Sequence, residues 1–123
     1  LFGMVADDVD QDGHLDLMLV GNDYGGEVMM GRYDALNGLW LKGNGRGGFT
    51  AQRPGSSGFY VPNNAKGLAQ MIDATGHRLL VATQNRGRLC AFRSRNHVAA
   101  VPLQPLDAVA WLTNAQGQKQ RIE

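Results

Sequence analysis

The sequence predicts an all-β fold on three observations. Its apolar runs are short, about four to eight residues each, turn-forming residues separate one run from the next, and the pattern returns after roughly 50 to 60 residues. Glycine accounts for 17 of the 123 residues, about twice the usual share of roughly 7%, which implies many tight turns. At 43% hydrophobic and 19% charged residues, the composition is that of a folded globular chain of about one domain, with a small core. No stretch approaches the roughly 20 apolar residues of a membrane-spanning helix.

The first apolar run, Phe2 to Ala6, leads into an acidic loop. Leu15 to Val20 (LDLMLV) resumes as a strand too continuously apolar to be exposed on either face, which makes it central in a sheet. After a glycine-rich stretch from Gly21 to Gly31, Gly38 to Lys42 and Phe49 to Gln52 flank GNGRGG. Asn-Gly and Gly-Gly supply the positive φ of tight turns, so this is a hairpin. Arg53 to Asn64 contains Pro54, Ser56, Ser57, Gly58 and Pro62 and reads as a connecting loop.

A second cycle follows: Lys66 to Asp73, Arg78 to Thr83 and Arg88 to Phe92 form a meander, with His97 to Leu103 as its fourth strand. Lys66 to Asp73 also has the Leu68, Met71 and Ile72 spacing of a helix, but strand is the expectation for an octet set among strands. The last portion reads as a hairpin turning at Asn114 to Gly117.

Three to four strands per cycle in two cycles is the arithmetic of β-propeller blades. The expected units are a first blade over residues 1–52, a loop over 53–64, a second blade-like meander over 65–103 and a hairpin over 104–123. Two blades do not close a ring. The chain also starts at Leu1, without a leader-like segment, and its final strand stops in mid-pattern at Glu123; the expectation is a piece of a longer propeller protein whose other blades are its immediate partners.

The net charge of +1 hides an asymmetry: residues 1–40 hold eight acids and one base, whereas residues 41–105 hold one acid and nine bases. Most of the acid is in one place. Asp8 to Asp16 reads DVDQDGHLD, with carboxylates at loop positions 1, 3, 5 and 9 and glycine at position 6. Alternate residues of a tightly turning loop aim their oxygens at a common centre, Gly13 turns without a Cβ penalty, and the carbonyl of His14 adds a backbone ligand. The candidate metal ligands are therefore Asp8, Asp10, Asp12, His14 (through its backbone) and Asp16.

An all-oxygen, carboxylate-rich set points to Ca²⁺ over zinc or copper, and the crowding of protein oxygens disfavours magnesium, which retains its waters. An EF-hand would need a bidentate glutamate at position 12, where Leu19 stands. Asp7 lies outside the register and is expected to cap or solvate the loop.

On these residues the chain resembles the FG-GAP or VCBS repeats of integrin-α-like β-propellers: VADDVDQDGHLDLMLVGN is similar to their calcium loop. GNDYGGEVMMGRYDALNGLWLKGNGRGGFT is similar to the closing blades of large bacterial surface proteins, where such repeats precede an ASPIC/UnbV-type segment. The likeness is most specific from Ala6 to Phe49 and loose after Leu103. It implies a calcium-stabilised scaffold that is secreted or displayed on the cell surface, and it carries over Asp8, Asp10, Asp12, His14 and Asp16 as the metal ligands. GNGRGG has lost the acidic residues of a second site, so the second unit is expected to be metal-free.

The remaining chemistry-bearing residues have blander readings. Asp23, Glu27, Arg32 and Asp34 form either a polar pocket at the blade mouth or, as expected here, a set in which Arg32 pairs with Asp34 or Glu27. Arg86, Arg88, Arg93 and Arg95 alternate along strand ends as a solvated edge, and nucleic-acid binding is not expected. Cys90 is expected as a small buried side chain. His14, His77 and His97 show no ligand spacing, PGSSGF is not a nucleophile elbow, and GNGRGG lacks the Lys-Ser/Thr ending of a phosphate loop, so no catalytic residues or enzyme activity are expected. The alternative function is a carbohydrate-binding or carbohydrate-processing propeller in which Trp40, Tyr24 and Tyr33 provide stacking surfaces near the loop mouth, a reading that an exposed Trp40 would favour. A module that binds a protein partner through an exposed apolar face is a third reading. The sequence leaves the protein or glycan ligand unnamed.

Overall fold

In the computed structural model, the residues described are 1–24, 36–98, 104–106, 108–113, 117 and 119–122. Nearly all regular structure in them is antiparallel β, as expected. Strands β1 (Gly3–Asp7), β2 (Asp16–Val20), β3 (Leu39–Gly43) and β4 (Phe49–Gln52) form one sheet in sequential order. A four-residue helix, α1 (Pro54–Ser57), leads to a second meander of β5 (Ala65–Ile72), β6 (His77–Gln84) and β7 (Cys90–His97). A separate hairpin pairs β8 (Ala110–Thr113) with β9 (Lys119–Ile122). Among the described residues no helix is long and apolar enough to cross a membrane.

β2 lies between β1 and β3, and its alternation decides how the sheets pack. Asp16, Met18 and Val20 are buried on the inner face, while Leu17 and Leu19 are half-buried on the other. The core joins the two sheets: Met18 and Val20 meet Ala65, Leu80 and Ala82, flanked by Trp40, Leu68 and Phe92. Phe59 and Val61 complete it, so the segment read as a plain connection also supplies core. Phe59 packs edge-on against Phe92 with ring centroids 5.0 Å apart, and the Val61 N–H donates to the Asn37 carbonyl at 2.9 Å.

The first strands of the two units, β1 and β5, lie against one another. Gly3 allows this approach, because a Cβ there would stand 2.5 Å from the Leu68 nitrogen. Lys66 to Asp73 forms strand rather than helix, its apolar side chains finding cross-strand partners in the pairs Leu68 with Ala82 and Met71 with Leu79.

The outer face of the first sheet is apolar, and that of the second is apolar beside Thr83 and Arg93. On the first sheet Met4, Leu17, Leu19, Leu39 and Leu41 share a face with Ala51, and on the second Ala69 and Met71 stand beside Leu79, Val81 and Ala91. Met4 is 56% exposed and Met71 49%. A sheet face meant for water would alternate to polar residues at these positions.

The expected pairing of Arg32 with Asp34 or Glu27, and the proposed stacking residue Tyr33, lie outside the described residues, as do residues 99–103 of the expected fourth strand and residues 114–116 of the last turn.

Candidate metal centre

The acidic loop joins β1 to β2, two strands held in register from Gly3 opposite Val20 to Asp7 opposite Asp16. Its ends are thereby fixed next to each other, and the eight residues between them must fold back over the sheet end. Gln11 and Gly13 take positive φ, +65° and +88°, and Gly13 has open space where a Cβ would be. The reversal expected at Gly13 is present.

Asp8 organises the turn. One of its carboxylate oxygens accepts the Asp12 N–H and the other accepts the Gly13 N–H, each at 3.0 Å. At the far end Asp16 is 0% exposed. Its Oδ1 accepts the Gly43 N–H at 2.8 Å and its Oδ2 the Val9 N–H at 3.2 Å, tying the loop to β3. Carboxylate oxygens of Asp8, Asp10 and Asp16 lie within 4.8 Å of one another, and Oδ1 of Asp10 is buried without a hydrogen-bond partner.

Asp12 turns aside from this trio. Its Oδ1 accepts the His14 N–H at 2.9 Å, and its Oδ2 lies 2.9 Å from the ammonium of Lys42, which also contacts Asp10 Oδ2. The Lys42 hydrogen bond, followed by that from the His14 backbone, holds the Asp12 carboxyl below the usual carboxylate range, and Asp10 and then Asp12 raise the Lys42 ammonium above the usual lysine value. The side chain of His14 rests against the hairpin turn at Gly45. Three of the four carboxylates expected at the centre thus converge, and the fourth faces a lysine.

Asp7 caps the start of the loop and also reaches beyond it. Its Oδ1 accepts the Asp8 N–H at 2.8 Å, while its Oδ2 receives Arg78 Nε at 2.9 Å and Nη2 at 2.8 Å, together with the Gln70 side-chain amide. Arg78 also donates to the Val9 carbonyl at 3.3 Å, and its side chain is 5% exposed. Asp7 is therefore a clasp between the sheets. A second tether runs from Gln11 Nε2 to the His97 carbonyl at 2.8 Å.

The other sequence candidates are held by local structure. Asp23 pairs with Lys66 at 3.1 Å. The Ser56 hydroxyl donates to the Arg53 carbonyl and that of Ser57 accepts the Phe59 N–H, which shapes α1 and its exit. Cys90 is half-buried rather than buried, with Gln84 Nε2 2.8 Å from its sulfur. Trp40 is half-buried: it packs against the core with its Nε1 buried and lines the wall of a cleft of about 410 Å³ shared with Met18, Phe59, Leu80 and Phe92.

A polar cluster caps the β5–β6 turn. Asp73 accepts Arg93 Nε and the Thr75 hydroxyl, and Arg93 Nη2 donates to His77 Nδ1 at 2.8 Å. Guanidinium is only a donor, so Nδ1 is an acceptor and His77 is neutral. Its ring lies 4.0 Å from that of His97. Burial, then the positive charge of Arg93, then that of His97 hold the imidazole below its ordinary value, with Asp73 opposing.

The unfolded chain takes this proton first. The stability that neutral His77 contributes is therefore complete above the ordinary imidazole pKa of about 6.5 and is lost as pH falls through the lower folded value. Melting in chelator should come at lower temperature at pH 5.5 than at pH 7.5, and His77→Asn should flatten that dependence; an identical slope in the variant would assign the effect elsewhere.

Compared with known proteins, the chain matches no family model, no curated protein and no solved structure.

Proposed function

We propose that this chain is a non-catalytic, calcium-binding part of an FG-GAP/VCBS-like β-propeller, serving as a structural or recognition scaffold of a secreted or cell-surface bacterial protein. The observation that carries the reading is the convergence of Asp8, Asp10 and Asp16 in a loop whose two ends are pinned by strand pairing. The residues fit the ion. Every side-chain donor is a hard carboxylate oxygen, one of them buried without a partner, and a calcium ion accepts six to eight such ligands where a magnesium ion keeps its waters. The ion would offset the mutual repulsion of the carboxylates that closing the loop brings together.

The propeller part of the proposal draws support from the packing. Two antiparallel meanders lie face to face with their first strands adjacent, and the first offers a second, apolar face of the kind that a neighbouring blade would cover.

Calorimetric titration of the chain with calcium should give one site, with a dissociation constant of roughly 10⁻⁴ to 10⁻³ M, as in extracellular modules, and magnesium should compete poorly. Calcium at 100 times that constant should stabilise the fold by about 2.7 kcal/mol over the chelated state at neutral pH. That gain should fade in acid, where the ligands take up protons. No calcium heat together with melts that coincide in calcium and in chelator would leave the loop an ordinary acidic turn.

A further inference from the structure

We propose that Lys42 is a built-in counter-cation of the acidic loop, holding Asp10 and Asp12 in the metal-free chain and opposing calcium when it enters. The proposal rests on the calcium reading for its second half only. Lys42 belongs to β3, on the same face as Trp40, and its ammonium reaches 32 residues back in sequence to contact carboxylates of Asp10 and Asp12. Asp10 is the junction: Oδ2 meets the lysine, Oδ1 is buried and bare, and one of its carboxylate oxygens lies within 4.8 Å of those of Asp8 and Asp16.

Two arrangements are open to an arriving divalent cation, and both set it against the lysine. If calcium takes both oxygens of Asp10, or recruits Asp12, the ammonium must leave. If it takes only Oδ1, a double positive charge sits across one carboxylate from a single one, in a partly desolvated loop where screening is incomplete. The opposite effect would be organisational: by gripping Asp10 and Asp12, the lysine would place ligands for the metal. The hydrogen bonds already present decide between the two. Asp8 and Asp16 are fixed by four backbone N–H groups, not by Lys42, and Asp12, which the lysine holds together with Asp10, stands outside the trio of Asp8, Asp10 and Asp16. Repulsion therefore outweighs placement.

The test uses the whole chain with Lys42→Met, which keeps the apolar stem and removes the charge, and Lys42→Gln, which keeps a donor to Asp10 should the methionine variant fold poorly. Calcium is titrated calorimetrically into each, and each is melted in chelator. Either variant should bind calcium about fivefold more tightly than the native chain, the size expected for removing a part-exposed ion pair, and should melt at a lower temperature without metal. Unchanged or weaker calcium binding in both variants overturns the opposition. If neither the native chain nor the variants bind calcium, the calcium reading fails by itself. The counter-cation role then stands on a lowered melt in chelator and falls if that melt is unchanged.

Discussion

Replacing Arg78 with alanine is expected to destabilise the fold by about 2 to 4 kcal/mol, somewhat less than for a fully buried ion pair, because the Asp7 side chain left behind is 29% exposed. Arg78 gives two nitrogens to Asp7 and a third hydrogen bond to the Val9 carbonyl from a position almost closed to water. Without it, Asp7 would keep only the Gln70 amide and the Asp8 N–H beside a void. For a chain of this size the melting temperature should fall by about 10 °C. Asp7→Leu combined with Arg78→Met should recover much of the loss, because an apolar pair leaves no uncompensated charge. A loss of less than about 1 kcal/mol on denaturant unfolding of Arg78→Ala would mean that the pair behaves as an ordinary solvated one.

Asp16 should show the second large effect, in two separable parts. Its carboxylate is buried, accepts two backbone N–H groups and stands in the trio with Asp8 and Asp10. Asp16→Ala leaves the Val9 and Gly43 donors unsatisfied and should lower stability by about 2 to 4 kcal/mol in chelator, since buried donors without partners cost about 1 to 3 kcal/mol each. Relief of carboxylate repulsion works the other way, but it is smaller, because Lys42 already offsets part of the charge. Asp16→Asn keeps the shape and one acceptor, so it should retain more of the fold while weakening calcium binding by about a hundredfold, as expected when a charged ligand is lost. Retention of native affinity in Asp16→Asn would remove Asp16 from the ligand set.

What was legible in the sequence was local. The alternation of carboxylates around Gly13 marked the loop, and the continuous apolar run of β2 marked a central strand, because both signals lie within a dozen residues. What the sequence concealed depends on long-range partners. Lys42 reads as a charge ending a strand until β3 is placed beside the loop, and Arg78 reads only as the first residue of a strand until its partner, 71 residues away in sequence, is seen. Phe59 and Val61 sit among prolines, serines and glycine, whose turn signals outweighed the two apolar side chains that enter the core. Trp40 carries the composition of a binding platform, but β3 turns it toward the core.

Asp7 and Asp8 are neighbours, and the N–H of the second donates to the carboxylate of the first. The clasp between the sheets and the ligand set of the loop are thus consecutive links of one chain, with the Arg78 bond to the Val9 carbonyl just beyond. A cation that tightens the loop and a contact that draws the sheets together then favour the same backbone arrangement. By thermodynamic reciprocity, whatever factor calcium adds to the closed state of the sheets, closure adds to calcium affinity. With calcium in the loop, a load that pries the sheets apart would release the ion, and ambient calcium would set how much load the joint withstands.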